Sequence, residues 1–338
     1  MLGPARGAPA TVKITDVAAE AGVAPMTVSR VINTPERVSP ETTARVKAAI
    51  EKLGYVPNLI AGGLSSRRSR MVAAIVPTIA HPMFAGLVQA FTDSMRQAGY
   101  QVMLSLSGYD GADDEALFRA LLGRRPDAML ITGATYTPAA WQLLLEARIP
   151  VVEIWELTTK PIDMLVGFDH AALGAAVAEY FLAKGHKRFM AFSAADSRAL
   201  ARTRGFLEAA ERAGGRVISV PPVPAPSTIM AGRESLRAVL PELTERTALF
   251  CSSDQLAFGA ITEARAQGVA VPDRLAVCGF GNFELSAASE LPFTTVNVEG
   301  VESGRIAASL LLRRLAGEPP RESDRITVPF HVVERAST

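Results

Sequence analysis

Apolar positions recur along this chain with two different periods, and the change of period divides it. Between 13 and 54 the spacing is helical. Apolar residues fall at 17, 18 and 21, at 28, 31 and 32, and at 46, 49, 50 and 53. That pattern predicts three short helices. From 71 onward, short apolar runs alternate with amphipathic stretches. Strands are expected at 71–76, 101–106, 127–132, 150–155 and 163–168, and then at 187–193, 216–220, 247–252 and 275–280. Helices are expected between them at 83–98, 113–123, 138–148, 170–185, 199–213, 230–240 and 254–267, with a further one at 300–317. Such alternation implies parallel sheets with crossover helices. The strands fall into two sets, which implies two doubly wound units. The expected fold is therefore an N-terminal all-α helix-turn-helix head and an α/β two-lobed body of doubly wound parallel sheets. Ligands in such folds bind outside the carboxyl ends of the strands.

The turn chemistry of the head is specific. Thr15 is the expected N-cap of the first helix, and Asp16 suits the positive helix start. Gly22 sits where a tight turn needs positive φ, and Pro25 fits the first position of the next helix. Val17, Ala18 and Ala21 can pack against Val28, Val31 and Ile32. The spacing of Ala18, Gly22 and Val28 is a helix-turn-helix signature. Ser39 and Pro40 cap a third helix that ends at Gly54. Residues 55–70 are rich in Gly, Ser and Arg and read as a linker, and 1–12 as a disordered tail.

Charge sharpens this division. Residues 1–70 carry ten Lys/Arg against five Asp/Glu, while 71–338 carry twenty-five against twenty-nine. A basic head on a mildly acidic body suggests a nucleic-acid-binding module fused to something else. At 49% hydrophobic and 20% charged, 338 residues support two or three domains and exclude wholesale disorder. No apolar run reaches the roughly 20 residues of a membrane span, and the N-terminus lacks a secretory pattern, so a cytoplasmic location is expected. Cys251 and Cys278 make neither a disulfide framework nor a zinc cluster and read as buried free thiols.

The strings ITDVAAEAGVAPMTVSRVIN, RVSPETTARVKAAIEKLGYVPN and LIAGGL make residues 14–64 resemble the DNA-binding head of the lactose/galactose repressor family of bacterial transcription regulators. The body carries further matching strings: HPMF (81–84), VGFDH (166–170), KGHKR (184–188), CSSDQLAFGA (251–260), VCGFGNFE (277–284) and LPFTTV (291–296). The resemblance implies major-groove contacts from Met26, Thr27, Ser29 and Arg30, and phosphate contact from Asn33 and the start of the third helix. Thr15 and Asn58 are counted among the DNA-binding positions. The family's hinge becomes helical only on DNA and wedges a leucine into the minor groove, and Leu64 matches that leucine. The physics agrees, because 58–65 is too short for a stable isolated helix and contains Gly62 and Gly63. Pro25 and Met26 offer no bidentate hydrogen bond to a base edge, which leaves thymine methyl contact for Met26.

For the body, the resemblance implies a two-lobed sugar sensor of periplasmic-binding-protein fold whose lobes exchange chain three times. The crossovers are expected near 168, 297 and 325. The lobes would then be 71–168 with 298–325, and 169–297 with 326–338; the head would be 13–56 and the hinge 57–70. Arg202 matches a family arginine that binds sugar, and Asp254 a family polar ligand. Phe84, Trp155, Asp169 and Asn282 complete the expected effector-binding set. Four of the six have a structural alternative: a surface arginine for Arg202, an N-cap for Asp254, and core packing for Phe84 and Trp155. Many relatives carry an aspartate where this chain has Gly281, so an acceptor for sugar hydroxyls is missing. HPMF, VGFDH and GFGNFE together look most like the gluconate-repressor branch. A sugar-acid carboxylate paired with Arg202 would suit charge-assisted recognition.

Enzyme signatures are missing: the sequence contains no complete dinucleotide loop, no phosphate-binding P-loop and no nucleophile elbow. Four scattered histidines, His81, His170, His186 and His331, fall at no metal-ligand spacing, so neither metal nor cofactor is expected. The expectation is a homodimeric repressor of a palindromic operator, controlled by a small sugar or sugar acid (gluconate-like). The runner-up is a carbohydrate-binding receptor module without DNA regulation.

Overall fold

The computed structural model describes residues 12–56, 68–79, 81–109, 114–133 and 136–338. The positions Asn58 and Leu64, most of the hinge, and residues 1–11 lie outside the described residues. The chain divides after Ser69 into a small head and a large body.

The head contains helices α1 (Ile14–Ala21), α2 (Pro25–Asn33) and α3 (Pro40–Leu53), with a 3₁₀ turn at Pro35–Arg37. Val17, Ala18, Ala21, Val28, Val31, Val46 and Ala49 form its core. Gly22 closes α1 in the left-handed region at φ 63°, and its successor Val23 donates back to the Ala18 carbonyl at 3.0 Å. Pro25 opens α2, and Ser39 caps α3 by accepting from the Thr42 amide at 3.3 Å. The first cap differs from expectation. Lys13 is the N-cap residue, its backbone amide donates to Asp16 at 2.8 Å, and Thr15 lies one residue inside the helix, exposed. The Asp16 carboxylate satisfies the helix start from within, so no hydroxyl cap is needed.

In the body the first sheet runs β11-β5-β4-β3-β1-β2, with β1 Met71–Val76, β2 Gln101–Leu106, β3 Ala128–Thr132, β4 Val151–Ile154, β5 Met164–Gly167 and β11 Arg325–Thr327. The second runs β12-β10-β9-β8-β6-β7, with β6 Arg188–Phe192, β7 Arg216–Ile218, β8 Thr247–Cys251, β9 Leu275–Phe280, β10 Thr294–Val298 and β12 Phe330–Val333. All neighbours are parallel except β12, which runs antiparallel to β10. Helices α4 (Pro82–Gln97), α5 (Asp114–Leu122), α6 (Pro138–Ala147) and α12 (Gly300–Leu315) belong with the first sheet. Helices α7 (His170–Ala183), α8 (Ser197–Arg212), α9 (Ile229–Val239), α10 (Asp254–Ala266) and the short α11 (Glu284–Ala288) belong with the second. Central strands such as AMLIT, RFMAF and TALFC are buried along their whole length, as parallel strands covered on both faces must be. Cys251 and Cys278 are buried free thiols in separate core clusters.

The chain changes lobe three times: between β5 and α7, between β10 and α12, and between β11 and β12. The third crossing falls at 328–329, not near 325, because Arg325, Ile326 and Thr327 pair with Leu165, Val166 and Gly167 of the first sheet. The Val328 amide extends that pairing to the Gly167 carbonyl at 2.8 Å. Residues 326 and 327 therefore belong to the first lobe. The segment TTVNV, expected only as part of a crossing, forms the buried strand β10.

Each sheet has the core order 2-1-3-4-5 of a doubly wound unit, so the strand order reverses between β1 and β3 and between β6 and β8. Crevices open at such reversals, beyond the carboxyl ends of the strands. The described loop residues there are 77–79, 81 and 133 in one lobe, and 193–196 and 252–253 in the other.

Candidate functional site

These loops enclose the cleft. From the first lobe come His81, Phe84, Tyr109 and Trp155. From the second come Asp196, Arg198, Arg202, Ser227, Ser252 and Ser253. A second compartment beside them is lined by Ser107, Asp114, Thr132, Tyr136 and Glu156, again with Tyr109 and Arg198.

The local chemistry explains the placement. Asp196 caps α8 by accepting from the Ala199 amide at 3.1 Å. The cap starts the helix so that Arg198 and Arg202, one turn apart, face the cleft together. Arg202 is 4% exposed. Its Nη1 meets His170 Nδ1 at 3.0 Å, its Nη2 donates to the Ser252 carbonyl at 3.0 Å, and its guanidinium lies 4.0 Å from the Phe280 ring centroid. Arginine only donates, so His170 is neutral with Nδ1 as acceptor. Burial first, then the Arg202 and Arg198 charges, hold the His170 pKa well below its ordinary value. Burial lowers Arg202 to about 10, which leaves it charged at neutral pH. Burial, then Arg202, brings His81 down to about 4, so it too is neutral.

Trp155 ends β4 at φ 82°, a left-handed backbone that a bulky residue adopts only when its surroundings impose it. Its amide donates to the Val166 carbonyl at 2.9 Å, and its ring sits 5.6 Å from Phe84 and 5.4 Å from Phe168. It forms a rigid aromatic wall. On the same strand, Glu153 is fully buried and accepts from the Ile162 amide at 2.5 Å, and burial pushes its pKa up to about 7.

Of the six residues expected to bind an effector, Phe84, Trp155 and Arg202 border one cavity. Asp169 caps α7 through the Ala171 and Ala172 amides, at 2.8 and 3.0 Å, and faces a neighbouring recess with Leu157 and Ala201. Asn282, at φ 50°, accepts from Arg335 at 2.7 Å and borders another recess with Asn297 and Glu299. Asp254 is turned away from the cleft. It is fully buried, accepting from the Thr295 hydroxyl at 2.5 Å and the Phe283 amide at 2.8 Å. Its predecessor Ser253 both caps α10 and lines the cleft. The expectation at Asp254 is thus corrected by one residue, because the cap position of a helix following a strand faces the crevice. Arg198, Tyr109, Asp196 and Glu156 were missed by the sequence reading. Arg198 alone carried a signal, its spacing of four from Arg202.

In the head, Met26 is 63% exposed on the outer face of α2. Arg30 and Asn33 are exposed beside it, while Thr27 and Ser29 are half-buried. Asn33 folds back on its own helix, donating to the Ser29 carbonyl at 2.9 Å.

A helix-turn-helix unit joined to a two-lobed body with a polar interlobe cleft defines a DNA-binding regulator with a ligand-binding domain. Comparison with known proteins agrees. Residues 13–58 match bacterial regulatory proteins of the lacI family, and residues 178–338 match the periplasmic binding protein-like domain. The chain is 31% identical over 306 residues to the HTH-type transcriptional regulator GntR of Escherichia coli, covering 90% of this chain and 92% of that one. It is 32% identical over 330 residues to the regulator of the same name from Pseudomonas aeruginosa, covering 96% and 95%. The crystal structure of a LacI-family transcriptional regulator from Silicibacter pomeroyi superposes with a TM-score of 0.90 at 31% identity, covering 96% of this chain and 99% of that one. The chain belongs to the lacI family of bacterial regulatory proteins. Its relatives are transcriptional regulators, not enzymes. Among the described residues no helix is long and apolar enough to cross a membrane.

Proposed function

We propose that this protein is a homodimeric transcriptional repressor whose operator affinity is set by a small sugar acid, of the gluconate type, bound between the body lobes. The observation that carries the effector class is Arg202. It is a buried, charged guanidinium at the cleft wall, and among the described residues it has no salt bridge within 4.0 Å. A buried cation without an ion-pair partner is costly, and an anionic ligand relieves it. Trp155 and Phe84 supply apolar surface for the carbon chain, and the serines and Asp196 supply partners for hydroxyls. The similarity to regulators named GntR supports the same class.

In this reading Met26, Thr27, Ser29 and Arg30 meet base edges, while Thr15, Asn33 and Asn58 meet the backbone. Leu64 enters the minor groove. Two heads would read the halves of a palindromic operator, since two-fold proteins match two-fold sites. The effector must bind the body's two states with different affinities, because equal affinity shifts nothing.

Fluorescence anisotropy tests this with DNA from upstream of the protein's own gene, at fixed salt, with and without D-gluconate. Specific binding weakened by gluconate is the expected result. Binding no tighter than to random DNA overturns operator recognition at that site. Specific binding indifferent to gluconate overturns the effector class.

A further inference from the structure

Arg198 belongs to neither wall of the cleft alone. It leaves the second lobe in the first turn of α8, yet most of its contacts are with the first. Its Nε lies 3.4 Å from Glu156, and its guanidinium lies 5.8 Å from the Phe84 ring and 5.9 Å from the Tyr109 ring. The residue is 8% exposed, and its buried Nη1 has no hydrogen-bond partner among the described residues. The same side chain stands, with Tyr109, between two compartments of about 70 and 30 Å³. A cavity that takes up benzene measures about 150 Å³, so neither compartment alone holds a six-carbon ligand. A ligand that spans the two compartments meets this side chain, which also borders the neighbouring recess of about 310 Å³.

The counter-ions of Arg198 are not equivalent. Asp196, 3.9 Å away, is fixed by capping α8. Glu156 belongs to the opposite lobe. Its pairing with Arg198 ties the lobes together across the cleft. An unsatisfied buried donor is unfavourable, and an oxygen anion placed at Nη1 satisfies it.

Building on the sugar-acid reading above, we propose that Arg198 selects for an anionic effector, and that the effector's carboxylate replaces Glu156 as its counter-ion. Arg202, held on Ser252 and His170, stays in place and supplies the second positive charge that draws the same anion. A neutral polyol of the same length cannot make the exchange, so it leaves the interlobe ion pair intact.

Isothermal titration calorimetry on the full chain tests this, with D-gluconate and its neutral counterpart D-glucitol as probes. The parent is expected to prefer gluconate by about tenfold or more, the usual worth of a hydrogen bond to a charged group. Arg198→Met should remove most of that preference. Glu156→Gln, which removes the competitor with little change of shape, should tighten gluconate several-fold and leave glucitol unchanged. A folded Arg198→Met that keeps the preference overturns the proposal, as does Glu156→Gln without tighter gluconate binding. If Arg198→Met does not fold, the Glu156→Gln result decides. Equal binding of both probes by the parent overturns the charge selection but keeps a polyhydroxylated ligand. Binding of neither overturns the sugar-acid reading, and this proposal with it.

Discussion

Gly205→Ala should loosen the second lobe and disturb the cleft in one step. Helices α7 and α8 cross with their backbones touching at two glycines. A Cβ on Gly205 would stand 2.2 Å from the Ala171 carbonyl oxygen, and one on Gly174 would stand 1.9 Å from the Arg202 carbonyl oxygen. Contacts below 3.0 Å are not made by real Cβ atoms, so α8 must retreat. Overpacking a core by one methyl costs about 1–3 kcal/mol, and the upper end applies here because backbone, not a side chain, has to yield. For a domain of this size each kcal/mol lowers Tm by about 2–4 °C, so a drop of about 6–12 °C is expected by circular dichroism. Because α8 carries Arg198 and Arg202, calorimetry should show weaker effector binding in the same variant. Gly174→Ala should behave alike, since the oxygen it meets belongs to Arg202 itself. The double variant should cost less than the sum, because one retreat of the helix relieves both clashes. A Tm within about 1 °C of the parent would refute the backbone contact on which this rests.

Two further outcomes are expected. Glu153 has a folded-state pKa of about 7, above its ordinary 4.5, so stability is undiminished below pH 4.5 and declines as pH rises to about 7. The decline amounts to about 3 kcal/mol; urea unfolding at pH 5 and pH 8 should show it, and Glu153→Gln should flatten the profile. Ser39→Ala removes the hydroxyl that caps α3. It should cost the head about 1 kcal/mol, read as roughly fivefold faster hydrogen exchange in peptides covering 40–53, with body peptides unchanged.

The head was legible in the sequence because its determinants are local. Val17, Ala18 and Ala21 sit one turn apart, Gly22 supplies the left-handed turn, and Pro25 and Ser39 mark the next starts. Thr15 misled because a carboxylate one residue further on did the capping. Most strands were legible from their apolar runs, but β10 was not, because the threonines and asparagine of TTVNV break the run. Arg325–Thr327 was not, because three residues carry no period and the pairing with β5 is fixed from far along the chain. The cleft was half legible. Phe84 lies in HPMF, Trp155 ends the apolar run 150–155, and Arg202 stands at a matching family position. The partnership of Arg198 with Glu156 joins residues from different lobes, and no local pattern reports it. Asp254 was displaced by one residue because strand-to-helix loops do not reveal which polar side chain faces the crevice and which closes the lobe.

The three crossings also govern how the chain is made. Gly304 of α12 lies against the Leu87 backbone of α4, where an added Cβ would stand 2.4 Å from the Leu87 carbonyl oxygen. During synthesis the apolar face of α4 therefore emerges 217 residues before the helix that covers it. At usual ribosomal rates of about 5–20 residues per second, that face waits about 10–40 s. The whole second lobe except β12 is translated in the interval. It can fold first, as an insert, while the first lobe stands half-built and adhesive. The nascent chain should thus depend on chaperone shielding, and residues 71–167 expressed alone should aggregate rather than fold.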